Sequence, residues 1–239
     1  MLSLSLSPNK TNMFKLLILL VPVVSLLNVA CGNREYTLNG SVPHAFFNGD
    51  TAYAVSVSGD SVAVLSKGVI ERGRFSLSGS ADSVAVASLY ISQKPVTPFI
   101  IEPGEISVFI AEKGVDVKGT PLNDALGSCL AVKDSFGVMM ADILRKEARL
   151  LMEGVPGDEA RVVVEDEFAV AAAKIEVYID SFVRAHYNDV VGPFALGIYC
   201  NGMNYSMLRP KIQKLINDAP EKFRKNRFVE SLRAGEGND

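Results

Sequence analysis

From Tyr36 to Gly119 apolar and polar residues alternate with period two. Tyr36 and Leu38 are separated by Thr37, Tyr53, Val55 and Val57 by Ala54 and Ser56, and Phe75 and Leu77 by Ser76. Ile106, Val108 and Ile110 share one face, and Val115 and Val117 alternate with Asp116 and Lys118. A strand turns successive side chains to opposite faces, so each run sets one face on a core and the other in water. Asn48-Gly49-Asp50, Gly59-Asp60, Arg72-Gly73, Gly79, Pro103-Gly104 and Lys113-Gly114 punctuate the runs at hairpin-like spacing. The pattern predicts a β-sandwich of seven or eight short antiparallel strands over residues 31–119.

Near Gly119 the period becomes helical. Thr120-Pro121 is expected to be an N-cap followed by proline at the first helical position. Leu122, Leu126, Leu130, Phe136, Met140, Ile143, Leu144 and Leu151 then recur at helical spacing, and the stretch from Gly154 to Gly157 breaks the run. A second helix is predicted from Asp158-Glu159, whose charges suit a helix N-terminus, to about His186. Asn188 to Pro193 reads as a turn leading into a short helix through Ile198. Stretches at Ser206–Asn217, with Pro210 in its first turn, and at Pro220–Arg233 complete a helical region over 120–234, and the tail 235–239 is expected to fray. The fold class is therefore α+β, with an N-terminal antiparallel β-sandwich and an α-helical C-terminal region.

The first thirty residues have a different logic. Lys10 and Lys15 are the only charges before residue 34, and Leu16 to Leu27 is apolar except for Ser25, with Pro22 interrupting it. A membrane-spanning helix needs about 20 apolar residues. This run is shorter and ends at Ala30-Cys31 before a polar Gly-Asn-Arg-Glu segment, the order of parts in a cleaved signal peptide. Met13 to Cys31 alone has all those parts. The segment Leu27-Asn28-Val29-Ala30-Cys31 resembles the lipobox of bacterial lipoproteins, with Asn28 where an aliphatic residue is usual. The resemblance implies that Cys31 carries a diacylglycerol, whose buried methylenes each contribute about 0.8 kcal/mol to membrane attachment. The expected location is the cell envelope of a Gram-negative bacterium. Gly32-Asn33-Arg34-Glu35 lacks an acidic cluster after the cysteine, which by resemblance to sorted lipoproteins favours a periplasm-facing over a surface-exposed chain.

Composition narrows the partners. Loss of Lys10 and Lys15 with the signal takes the formal net charge from −3 to −5, which argues against nucleic acid. The roughly 209 residues that remain suffice for a substantial core.

Between residues 60 and 130 a recurrent series stands out. It runs Asp60-Ser61, Gly73-Arg74-Phe75-Ser76-Leu77-Ser78-Gly79, Phe99-Ile100-Ile101-Glu102-Pro103-Gly104 and Val117-Lys118-Gly119-Thr120-Pro121-Leu122-Asn123-Asp124. It resembles domain of unknown function 4369, the β-rich N-terminal part of many envelope lipoproteins. In that group a thioredoxin-like thiol–disulfide module usually follows. The likeness covers about Tyr36 to Ala131, and its motifs are structural rather than catalytic. The usual redox module carries a Cys-x-x-Cys pair, which works because a second thiol resolves the mixed disulfide of the first. This sequence has no such pair, so a thiol oxidoreductase activity does not carry over.

Besides Cys31 the cysteines are Cys129 and Cys200, some seventy residues apart in predicted helices. In an oxidising periplasm they either pair, if their Cα atoms come within about 4.4–6.8 Å, or stay as two buried thiols on apolar helix faces, the favoured expectation. His44 and His186 lie in different regions without metal-ligand spacing, and His186 closes a helix, where a cation suits the dipole. Glu165-Asp166-Glu167, with Asp158 and Glu159, fits a solvated helix face better than a calcium loop or an acid/base pair. Lys211, Lys214, Lys222, Arg224, Lys225, Arg227 and Arg233 form a basic stretch that suits a membrane surface, an acidic partner or, best, a solvated helix exterior. No nucleophile elbow or phosphate-binding loop is present. The resulting expectation is a non-catalytic envelope lipoprotein, without metal or cofactor, acting as a binding or docking module for an envelope protein. The alternative is an accessory role in a thiol–disulfide system beside a separate thioredoxin-like partner. Replacing Cys31→Ala is expected to abolish incorporation of labelled fatty acid and release the protein from membranes; persistent labelling would exclude Cys31 as the acylated residue.

Overall fold

The computed structural model describes residues 34–43, 47–58, 61–202 and 205–234. The signal segment, Cys31, His44 and the tail 235–239 lie outside the described residues. Eight strands form the N-terminal part: β1 (Glu35–Ser41), β2 (Thr51–Ser58), β3 (Ser61–Val69), β4 (Arg74–Ser80), β5 (Ala85–Ile91), β6 (Lys94–Ile101), β7 (Gly104–Ala111) and β8 (Gly114–Lys118). They make two four-stranded sheets, in the orders β4-β1-β7-β8 and β3-β2-β5-β6. Tyr36, Leu38, Leu77, Leu89, Phe99 and Ile106 fill the space between the sheets. Burying large side chains of this kind contributes about 1.5–3 kcal/mol each.

The architecture agrees with the α+β expectation, while three local features depart from the pattern read along the chain. First, β1 pairs with β7 in parallel, Tyr36 opposite Gly104, whereas its other neighbour β4 is antiparallel. A parallel pair needs a long crossover, and here all of β3-β2-β5-β6 lies within the excursion. Second, alternation along β2 is present, but the alanines face the core. Ala52 and Ala54 are fully buried, Tyr53 is half-buried, and a register shift follows at Ala54/Val55. Large residues from other strands already occupy the core at that level, Leu89 directly opposite Ala54. Third, the β5–β6 hairpin turns on Ser92 and Gln93, both at positive φ (46° and 70°). This two-residue turn lacks the Asn-Gly or Asp-Gly signature that marks such turns in a sequence.

The helices follow: α1 (Pro121–Met152), α2 (Gly157–Ala185), α3 (Val191–Gly202), α4 (Tyr205–Asn217), α5 (Glu221–Arg224) and α6 (Arg227–Ala234). α1 ends in a Schellman motif: the N–H of Gly154 (φ 86°) donates to the Leu151 carbonyl and that of Val155 to the Leu150 carbonyl. Pro193 lies inside the first turn of α3 rather than before the helix, because a proline there forfeits no intrahelical bond. Pro210 sits deeper in α4 than its first turn. The final stretch is split by Lys225 and Asn226 into α5 and α6.

A polar joint fixes α1 to the sandwich. Thr120 is the N-cap residue, but its hydroxyl makes no cap hydrogen bond to the helix. Glu102, directly after β6 and only 8% exposed, takes that role from a distance. Its Oε1 accepts from Thr120 Oγ1 (2.5 Å), Leu122 N (2.8 Å) and Asn123 N (3.0 Å). The carboxylate satisfies N–H groups that a helix start leaves unpaired and is favoured by the helix dipole. Asn123, 0% exposed, accepts from Ile100 N and donates to Ile100 O, both at 2.8 Å. Its amide thereby completes the free edge of β6 as a neighbouring strand would. Close approach is needed here: a Cβ on Gly127 would meet the Val117 carbonyl oxygen at 2.0 Å, and one on Gly119 (φ 114°) the Glu105 carbonyl oxygen at 2.4 Å.

Glu102→Ala leaves a buried hydroxyl, one buried and one half-buried N–H group without their acceptor and is expected to cost about 3 kcal/mol of unfolding free energy. Glu102→Gln, which keeps one acceptor oxygen, should cost less. Urea titration measures both, and a loss below about 1 kcal/mol for the alanine variant would show that the joint is not needed.

Candidate functional site

The helices build a second core in which Cys129 of α1 and Cys200 of α3 are both buried, together with Ile175, Ile179, Leu196 and Phe223. Both cysteines are free thiols. Burial pushes the Cys129 thiol up from 9.0 to about 11, against opposing hydrogen bonds from Tyr199 and Tyr178. Burial alone pushes Cys200 up to about 12. The Tyr178 and Tyr199 hydroxyls are likewise held protonated by burial and by the neighbouring Cys129. A thiol serves as nucleophile or metal ligand only as thiolate, so these positions behave as small apolar residues.

The other residues singled out in the sequence serve as caps or surface ion pairs. His186 is the C-cap residue of α2, its Nδ1 2.8 Å from Asp189 Oδ2. The other oxygen of Asp189 accepts from Val191 N at 2.9 Å and so caps α3. Asp158 and Glu159 occupy the first turn of α2. Glu167 pairs with Lys146 across the α1–α2 hairpin, and Glu165 lies 4.0 Å from Arg161. Among the described residues, no group of three or more His, Cys, Asp or Glu is placed to hold a metal ion. No helix among them is long and apolar enough to cross a membrane.

The basic stretch is not a uniform patch. Lys225 pairs with Glu221 at 2.7 Å, Lys222 donates to the Asn188 carbonyl at 3.4 Å, and Lys211 pairs with Glu176 of α2. That last pair belongs to a surface groove of about 540 Å³ between α2 and α4. Ile179, Ile212 and Leu215 form its buried apolar floor, and the exposed side chains of Val177 and Lys214 line it further out. Glu176 and Lys211 line the groove as one ion pair, and Arg184 supplies a second set, bonded to Asp180 (2.9 Å) and Asp218 (3.3 Å). The bond to Asp180 raises the Arg184 guanidinium further above its ordinary value. An apolar floor flanked by already paired charges suits a ligand with an aliphatic or aromatic side chain and a polar backbone.

No residue pattern announces this groove, because its walls are two helices some thirty-five positions apart. The one signal available is the Glu176, Asp180, Arg184 ladder at i, i+4 spacing on α2, facing the basic run of α4.

Residues 36–126 match the family model described as Domain of unknown function (DUF4369). The match spans the whole sandwich and stops within the first turns of α1, so it includes Glu102, Thr120 and Asn123 of the joint and excludes the groove. No curated protein and no solved structure matches the chain.

The thiols carry a prediction. Because the folded state holds both protons more tightly, the unfolded chain binds fewer protons above pH 9. Their contribution to stability is therefore complete below about pH 9 and is lost as pH rises through the window up to about 11 for Cys129 and about 12 for Cys200. Thermal unfolding should show a falling Tm from pH 9 to 11, less steep in the Cys129→Ala, Cys200→Ala double variant. With Cys31 acylated, an aromatic disulfide reagent at pH 8 should label neither thiol until denaturant is added. Rapid labelling of the native protein would contradict the buried placement.

Proposed function

We propose that this chain is a non-catalytic lipoprotein of the cell envelope, tethered through Cys31, that binds a segment of another envelope protein. The groove between α2 and α4 supports the binding part of this reading. It combines an apolar floor of Ile179, Ile212 and Leu215 with ion pairs that leave its polar groups satisfied before any ligand arrives. Such a surface favours an extended or helical peptide inserting one or two apolar side chains, with Lys214 available to an acidic group on it. The sandwich is the base to which Glu102 and Asn123 fix the start of α1. Two buried, protonated thiols do not favour the accessory redox role.

The test is co-purification from envelope extracts with the lipidated protein and with a Val177→Glu, Lys214→Glu variant. Both substitutions fall on exposed side chains, so folding and lipidation should persist. A partner retained by the parent and lost at least about tenfold in the variant, a difference near 1.4 kcal/mol, supports the groove as the binding surface. Equal recovery by both proteins would remove the groove from the function.

A further inference from the structure

The β2–β3 hairpin presents apolar side chains that stand exposed among the described residues. β2 pairs with β3 along its whole length but with β5 only from Ala52 to Val55. From Ser56 onward the hairpin is therefore two-stranded. Its register sets Val57 opposite Val62 and Val55 opposite Val64; these valines share one face, on which Val55 is buried and the other three are not. Val57, Val62 and Val64 are 58%, 69% and 59% exposed. β3 is also a sheet edge, and Lys67 is its one charged residue. Proteins usually blunt such edges with charge or proline, and a contiguous exposed apolar patch marks a contact surface.

Strand register identifies what lies near that patch. β2 runs antiparallel to β5, so its C-terminal end points the same way as the start of β5, where Ala85 is paired with Ile101. The chain passes from Ile101 directly into β7, whose Gly104 is paired with Tyr36 next to the start of β1. Glu35 in turn pairs with Ser80, and the connection from Ser80 to β5 carries the exposed Val84. The hairpin, Val84 and the point where the chain enters the sandwich therefore share one end of the molecule. The four residue steps from Cys31 to Glu35 span no more than about 14 Å even when fully extended.

We propose that the β2–β3 hairpin is a second membrane contact, its exposed valines entering the same lipid surface that Cys31 is anchored in. This rests on the lipid-anchor reading above. A short tether presses this end of the sandwich to the bilayer, and apolar side chains at that height transfer into the boundary between headgroups and acyl chains. The contact is apolar rather than electrostatic, because Glu35, Asp82 and, in the intervening sequence, Asp60 outnumber Arg34. It does not require anionic lipid.

The experiment uses the full lipidated chain carrying Val62→Cys or, at the opposite end of the sandwich, Phe109→Cys, each labelled near neutral pH with an environment-sensitive fluorophore. Phe109 is also an exposed apolar side chain, so it controls for exposure. Proteins are reconstituted with phosphatidylcholine vesicles with and without brominated acyl chains, and flotation is measured first. The expected result is flotation of both proteins, roughly twofold quenching by brominated chains at position 62 and none at position 109. Failure to float overturns the lipid anchor, and with it this contact. Flotation without quenching at 62 overturns the hairpin contact and leaves the anchor standing. A spectral shift at 62 that grows with protein density but ignores brominated lipid assigns the valines to a second copy of the chain, and also overturns the proposal.

Discussion

One carboxylate holds the two halves of this protein together. Glu102 follows a strand and begins a helix at once: its Oε1 gathers a hydroxyl and two backbone N–H groups of the first turn of α1. Asn123 performs the reciprocal service, closing the edge of β6 from the helix. Each buried polar group is affordable only because the other is there, since either alone would leave unpaired donors or acceptors away from water. Around this polar centre sits an apolar ring, with Ile100, Leu126 and Val191 buried and Val86, Leu122 and Phe194 packed against them. The position of every later helix follows from it, because α2 and α3 pack on an α1 whose start is fixed.

The balance of what was readable from sequence follows from distance along the chain. Runs such as Phe75-Ser76-Leu77 and Ile106-Ser107-Val108 declare a buried face because burial of a strand is a local, alternating property. Helix starts and stops at Pro121, Gly154 and Gly157 are equally local. Ala52 and Ala54 misled, because which face of β2 is buried depends on how much volume Leu89 and its neighbours already fill. The Ser92-Gln93 turn left no trace because its residues are forced into positive φ by the strands on either side. Nothing local to Glu102 announces its capping role, since the helix it caps begins only at Pro121. The parallel β1–β7 pair has the same cause on a larger scale.

The candidate site was less legible still. The residues with the most reactive side chains, Cys129, Cys200 and His186, are placed in packing and capping roles. The groove is made from ordinary residues, and only the meeting of α2 with α4 gives Ile179, Ile212 and Leu215 a common surface. The family match over residues 36–126 ends before these elements begin. The sandwich and its joint are thus the part shared with other proteins, and the groove is built from the part that is not matched.

The place of β1 has a mechanical consequence. The strand nearest the chain's N-terminal side is an interior strand, flanked by seven residue pairs with β4 and six with β7. A pull on the chain ahead of Glu35 is directed along that strand, so both ladders are loaded in shear and their hydrogen bonds share the force. An edge strand pulled from its end would instead peel away one bond at a time. Tension applied to the chain ahead of β1 would therefore load two ladders at once instead of unzipping one.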